Sequence, residues 1–198
     1  MLNKSYKGAL KITIAAALLA MPAMAQAVST GLLLSDDSVQ IPYNKDAAPV
    51  FDVEVRQTYN FLYSQEPVPR SFLLSGGIEF LDHGWEFGVF QKITPKVDFM
   101  LMKFKDYFVA AAAIGASHRL SLNEEQTFSL QTEATLAPQL TTLARGKYLW
   151  NFKTQLNYPF TNDVEFNLGY RSMTVKLLND DKDGFERGLY FGITKKLE

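Results

Sequence analysis

From Pro49 onward the chain runs as segments of alternating apolar and polar residues, broken by short clusters of Gly, Pro, Asn and Asp. Alternation with period two puts successive side chains on opposite faces of an extended strand. In residues 147–158, Tyr148, Trp150, Phe152, Thr154, Leu156 and Tyr158 share one face, and Leu149, Asn151, Lys153, Gln155 and Asn157 the other. The design repeats in residues 51–63, 128–136, 164–171 and 186–197. Less regular runs at 71–81, 85–93, 97–105 and 107–120, with a weak opening strand at 31–41 interrupted by Asp36 and Asp37, bring the count to ten. Merging of the short central runs would leave eight.

This pattern predicts an all-β fold, an antiparallel up-and-down transmembrane β-barrel of about ten strands in one domain. Single-chain bacterial barrels have an even number of strands and keep both termini on the periplasmic side. Counting back from the C-terminus then puts connections 159–162, 121–126, 94–96 and 64–69 at the periplasmic end. Connections 138–146, 179–184 and 43–48, with tight hairpins at 82–84 and 105–106, fall outside.

Placement of the aromatic residues favours a membrane barrel over a soluble one. Tyr148 and Trp150 open the apolar face of 147–158 and Tyr158 closes it. Ten residues at about 3.3 Å, tilted about 45°, cover roughly 24 Å, near the ~25 Å apolar band between the aromatic girdles of outer-membrane barrels. The other face becomes the lumen, carrying Asp52, Glu54, Arg56, Glu86, Lys92, Glu133, Lys153, Glu165 and Arg171. Mixed charges in so narrow a tube should pair and plug it.

The N-terminus adds a destination. Lys4, Lys7 and Lys11 precede an apolar run from Ile12 through Met21 and small residues at Ala23, Ala25 and Ala27. This is the order of a cleavable signal peptide, residues 1–27, with the cut after Ala25 or Ala27 and a barrel domain over 28–198. Cleavage removes three of the 20 basic residues and none of the 21 acidic ones, leaving a net charge of −4 and no basic surplus for nucleic acid. With no cysteine, the exported chain has neither disulfide staples nor a lipid-anchoring thiol.

Candidate chemistry is sparse. The two histidines are His83, beside Asp82 in a hairpin, and His118, three residues before Ser121. Neither has the neighbours a catalytic base needs, since adjacent strand residues point to opposite faces. Asn179 to Gly184 has the alternating carboxylates of a calcium loop, but Tyr190 stands where the liganding glutamate belongs, so it reads as an acidic hairpin tip. No catalytic, cofactor-binding or metal-ligating residue is assigned. In the last strand, Glu186, Gly188, Phe191 and Ile193 fit the spacing read by barrel-assembly machinery, although Leu197-Glu198 replaces the usual terminal aromatic.

Ala137-Pro138, the run Ala144-Arg145-Gly146-Lys147-Tyr148-Leu149-Trp150, Leu168-Gly169-Tyr170-Arg171 and Val175-Lys176-Leu177 resemble the YfaZ family of outer-membrane proteins. Phe61-Leu62-Tyr63 is similar in character. The resemblance implies an outer-membrane barrel and carries no catalytic motif. The expectation is a non-enzymatic, monomeric barrel of the bacterial outer membrane with a structural, binding or narrow-channel role. Its partners would be membrane lipid, lipopolysaccharide and the assembly machinery. The alternatives are a barrel enzyme acting on envelope lipid or peptide, and a soluble periplasmic barrel carrying a ligand.

Overall fold

The computed structural model describes residues 28–50, 53–64, 71–81, 84–86, 91–104, 107–123, 128–144, 146–178 and 182–197. Residues 1–27, read from sequence as a signal peptide, and Asp82, His83, residues 179–181 and Glu198 lie outside the described residues. Twelve strands follow in order: β1 Val28–Leu34, β2 Ser38–Val50, β3 Val53–Ser64, β4 Ser71–Phe80, β5 Trp85–Glu86, β6 Gln91–Phe104, β7 Tyr107–Ser121, β8 Ser129–Ala137, β9 Thr142–Ala144, β10 Gly146–Pro159, β11 Val164–Leu177 and β12 Lys182–Leu197.

Ten of these are the staves of a closed barrel. Each pairs antiparallel with its neighbours in chain order, and β1 closes on β12 from Val28↔Leu197 to Leu34↔Phe191. The two short strands complete staves that are locally broken. β5 pairs with β6 beyond the end of β4, and β9 pairs with β7 beyond β8, after a 3-10 turn at Gln139–Thr141.

The count of ten holds, but its make-up differs from the sequence reading. The opening segment is two strands, because Ser35 and Ser38 close a tight turn at Asp36-Asp37. Conversely, Thr94-Pro95-Lys96 is no turn and lies inside β6. Pro95 sits where β6 passes from β5, which pairs with Lys92 and Ile93, to β4, whose ladder begins at Lys96. A residue without an N–H is tolerated where a ladder is interrupted. The segment 43–48, read as a connection, belongs to β2.

These two changes reverse the expected side of the connections upstream of β6. The rim that carries Val28 and Leu197, here the near rim, also carries connections 51–52, 81–90, 122–128 and 160–163. The far rim carries 35–37, 65–70, 105–106, 145 and 178–181. The end of β4 therefore lies at the rim of Val28 and Leu197 and the end of β3 at the other, the opposite of the sequence-based placement, while Asp82, His83 and residues 65–69 themselves lie outside the described residues.

Side chains divide as the alternation requires. Phe99, Ile114, Leu168, Leu189 and Phe191 point outward and are each more than half exposed. Aromatic pairs gather at both ends of this surface. Phe128 lies 5.0 Å from Tyr158 and Phe160 5.2 Å from Phe166 by the near rim, and Phe72 lies 6.4 Å from Phe108 by the far rim. The solvent-type residues Gln155, Asn157, Asn167 and Arg171 point inward and are buried.

Gly169 is required by a close approach. A Cβ there would stand 2.4 Å from the Thr154 carbonyl oxygen and 2.5 Å from the Tyr190 hydroxyl, because the Tyr190 ring covers the backbone of β11. Gly169→Val should displace that ring and lower barrel stability by about 1–3 kcal/mol, the usual penalty for overpacking. Urea titration of the folded, heat-modifiable band measures it; an unchanged midpoint would contradict the packing described.

Candidate functional site

The lumen divides into two halves of opposite chemistry. Toward the far rim, the inward positions of β6, β7, β10 and β11 are apolar, and in β3 and β4 Leu62 and Leu73 are followed at the rim by the buried Ser64 and Ser71. Leu62, Leu73, Met100, Met102, Val109, Leu149, Met173, Val175 and Leu177 pack with Phe185 of β12 and with Ala111, Ala113 and Ala137 into one buried cluster. Met102, Leu149, Val175 and Phe185 are inaccessible to solvent, so this half is filled. The four-alanine run of β7 supplies small inward residues, Ala111 and Ala113, which leave room for the larger side chains opposite.

Toward the near rim the same tube opens into a polar cavity of about 620 Å³. Leu33, Leu62, Leu73, Met100 and Met173 form its apolar inner end, and Asp46, Arg56, Arg119, Asp163, Glu165 and Lys196 stand around its mouth. The whole is a cup, closed at the far rim and open at the near one.

Charged groups at mid-depth neutralise one another. Lys96 Nζ lies 3.3 Å from Asp98 Oδ2 and 3.3 Å from Glu133 Oε2, and Lys153 Nζ lies 3.8 Å from Glu133 Oε1. Glu79 stands directly across the ladder from Lys96. A second cluster joins β2, β11 and β12: Arg171 Nη1 lies 3.4 Å from Glu186 Oε2, Ser38 donates to Glu186 at 2.6 Å, and Arg171 also donates to Gln40. Arg171 and Lys153 both lie over the Tyr190 ring, at 5.2 and 6.0 Å from its centroid. Buried charges persist only when so paired.

Amides and hydroxyls cover the wall between these clusters and the mouth. Tyr190 donates to Gln155 at 3.0 Å, Gln155 to Asn167 at 2.9 Å and Asn167 to Thr194 at 2.8 Å. Gln40 donates to Asn60 at 2.8 Å. Two atoms facing the cavity, Thr58 Oγ1 and Asn151 Oδ1, are buried with no hydrogen-bond partner among the described residues.

Of the charges assigned to the lumen from sequence, Arg56, Glu133, Lys153, Glu165 and Arg171 line the cavity. Glu86 and Lys92 do not. They form an exposed pair at 3.4 Å, because β5 is a two-residue stub whose residues remain open to solvent. Glu54 is exposed at the start of β3, and Asp52 lies outside the described residues. Lys96 and Asp98, the centre of the ion network, were hidden by the apparent turn at Pro95. Glu186, singled out as part of an assembly signal, is a buried partner of Arg171. His118 alternates with the inward Ser117 and lies on the outer face, opposite Ile93 and Thr132. Tyr190 points into the lumen. Among the described residues no cluster of His, Asp and Glu could hold a metal ion.

Glu133→Gln should leave Lys153 buried without its carboxylate and cost about 3 kcal/mol of barrel stability, as breaking a buried pair does. The double variant Glu133→Gln/Lys153→Met should recover most of that loss. Urea midpoints of the two variants compared with the parent decide between coupling and simple additivity.

No protein-family model matches this chain, and no curated protein matches it. Among solved structures it is similar to a bacterial polysaccharide outer membrane secretin, at 11% identity and a TM-score of 0.40. The match covers 86% of this chain and 57% of that one, so the chain spans little more than half that structure's length. A likeness this loose carries no weight beside the geometry of the barrel itself.

Proposed function

We propose that this protein is a small, non-enzymatic barrel of the bacterial outer membrane, with the near rim in the periplasm and the far rim outside. One observation carries the reading: the outer face of the barrel is a belt of exposed apolar side chains around a lumen that is polar over its near half, whereas a soluble ligand-carrying barrel keeps its outer face polar. In water a belt of Phe99, Ile114, Leu168, Leu189 and Phe191 would be a large exposed apolar patch. In lipid it is the required surface. An apolar groove on the outer face, lined by residues such as Leu32, Leu34, Leu156, Leu168 and Phe191, suits acyl chains. The aromatic pairs near both rims correspond to the two membrane interfaces.

Other features agree. The charge-apolar-small order of residues 1–27 suits an export leader, and the resemblance read in residues 137–177 would imply the same membrane. Orientation follows from both strand ends, Val28 and Leu197, lying on one rim, which in bacterial barrels is the periplasmic one. Membrane lipid and lipopolysaccharide are then the lateral partners, and the spacing of Glu186, Gly188, Phe191 and Ile193 suits delivery by the assembly machinery. Closure of the ten staves within one chain leaves no strand edge for a second copy to pair with, in keeping with a monomer.

The interior favours a structural or binding role over conduction. Among the described residues, Met102, Leu149, Val175 and Phe185 fill the outer half and are closed to solvent. Among the described residues, Lys96, Asp98, Glu133, Lys153, Arg171 and Glu186 are engaged with one another and His118 faces outward, an arrangement that suits a binding role.

Fractionation tests the location. The protein should sediment with outer membranes and shift its gel mobility on boiling; recovery as a soluble periplasmic protein with no shift would sink the proposal. Leu168→Arg on the outer face should cost about 2–4 kcal/mol in a bilayer if this residue lies near the midplane. In planar bilayers the parent should pass no current, whereas Met102→Gly/Leu149→Gly should open a measurable conductance through the thinned plug. A conducting parent would overturn the closed-lumen reading.

A further inference from the structure

We propose that the cup opening at the near rim is a binding site for a small, uncharged, hydroxyl-rich molecule of the size of a mono- or disaccharide. The proposal deepens the binding role above, and it depends on the membrane reading only for the side from which the ligand arrives.

Size comes first. A cavity of about 620 Å³ lies in the range of sites for small ligands, which run from about 300 to 1,000 Å³. It opens toward the near rim, because among the described residues the far half of the lumen is occupied by the buried apolar cluster. The occupant therefore enters and leaves by the near rim.

The chemistry of the wall selects the class. Lining side chains carry six acidic and six basic groups, Asp46, Glu79, Asp98, Glu133, Asp163 and Glu165 against Arg56, Lys96, Arg119, Lys153, Arg171 and Lys196. At depth Lys96, Asp98, Glu133 and Lys153 pair at 3.3 to 3.8 Å, Arg171 pairs with Glu186 and Glu79 faces Lys96 across the ladder, which offers an ionic ligand no unopposed cluster of one sign. What remains available is amide and hydroxyl. Amide side chains both donate and accept, and so do alcohols, which makes a polyol the natural complement.

Two atoms mark places for it. Thr58 is 6% exposed, yet its Oγ1 faces the cavity with no partner among the described residues. Asn151 Oδ1 is equally unpartnered. β3 and β10, which carry them, are five staves apart in either direction around the barrel, so the two atoms address a ligand from opposite walls. A buried polar atom without a partner is costly, and an exchangeable guest that donates to it removes the cost. Met100 and Met173 at the inner end offer an apolar surface for the C–H face of a sugar ring.

The test uses the full-length mature barrel, folded in detergent micelles and verified by its heat-modifiable mobility. Saturation-transfer NMR and calorimetry would compare glucose, maltose and trehalose with glutamate, lysine and inorganic phosphate. At least one neutral sugar should bind, and more tightly than any of the ions. Thr58→Val should weaken it about fivefold, the loss expected for one neutral hydrogen bond. Ser75→Phe, which fills the cavity from β4, should abolish it. Absence of binding by all three sugars, preference for an ion, or full binding by a correctly folded Ser75→Phe barrel would each overturn the proposal. None of these results bears on fractionation or conductance, so failure here is distinguishable from failure of the membrane reading.

Discussion

Closure of the hydrogen-bonded ladder is the constraint on which the rest depends. Ten antiparallel staves satisfy each other's backbone groups, and the last pairing, β1 on β12, removes the two edges an open sheet would expose. An apolar outer surface is compatible only with such closure, since lipid offers no partner to an unpaired N–H or C=O. The interruptions are placed accordingly. The breaks near Pro95 and after Ala137 are bridged by β5 and β9, which continue the ladders on β6 and β7.

Closure at ten strands also fixes a lumen narrow enough for opposing side chains to meet, and this sets the interior chemistry. Two solutions occur in one tube. The outer half is filled by methionine, leucine, valine and alanine, as in a soluble core. The inner half is lined by charges that pair across strands and by amides that bond in chains from Tyr190 through Gln155 and Asn167 to Thr194. Paired buried charges contribute little net stability, but they tie neighbouring staves to one another. Lys96 with Glu133 ties β6 to β8, and Arg171 with Glu186 and Gln40 ties β11, β12 and β2. The second cluster spans the closing seam.

A barrel plugged at one end and hollow at the other is directional. The cavity and the termini share a rim, so whatever the cup holds is exchanged with the compartment that receives the chain ends. Burial of Glu186 gives this residue a structural duty alongside any role in recognition of the last strand. Its carboxylate accepts from Ser38 and pairs with Arg171, linking the end of the chain to its beginning.

The sequence by itself determined the strand class and the face each long strand turns outward. Period-two alternation in residues 147–158, 164–171 and 186–197 depends only on local geometry, and a strand has just two faces to assign. Arg56, Glu133, Lys153, Glu165 and Arg171 were legible as lumen residues for the same reason. Only the tertiary structure decided where the central and opening strands begin and end. Pro95 looks like a turn until a break in the ladder beside it is known, and Asp36-Asp37 looks like an interruption until β1 and β2 are seen to pair. Those two errors cancelled in the count while reversing the rim of every connection between them. Tertiary structure alone also decided that the lumen is half core and half cup. Inward leucines and methionines alternate with outward apolar residues just as they would in any two-sided strand, and burial depends on what stands across the tube. Lys96, Asp98 and the unpartnered Thr58 acquire meaning only from residues on other staves, and no pattern along one strand encodes that.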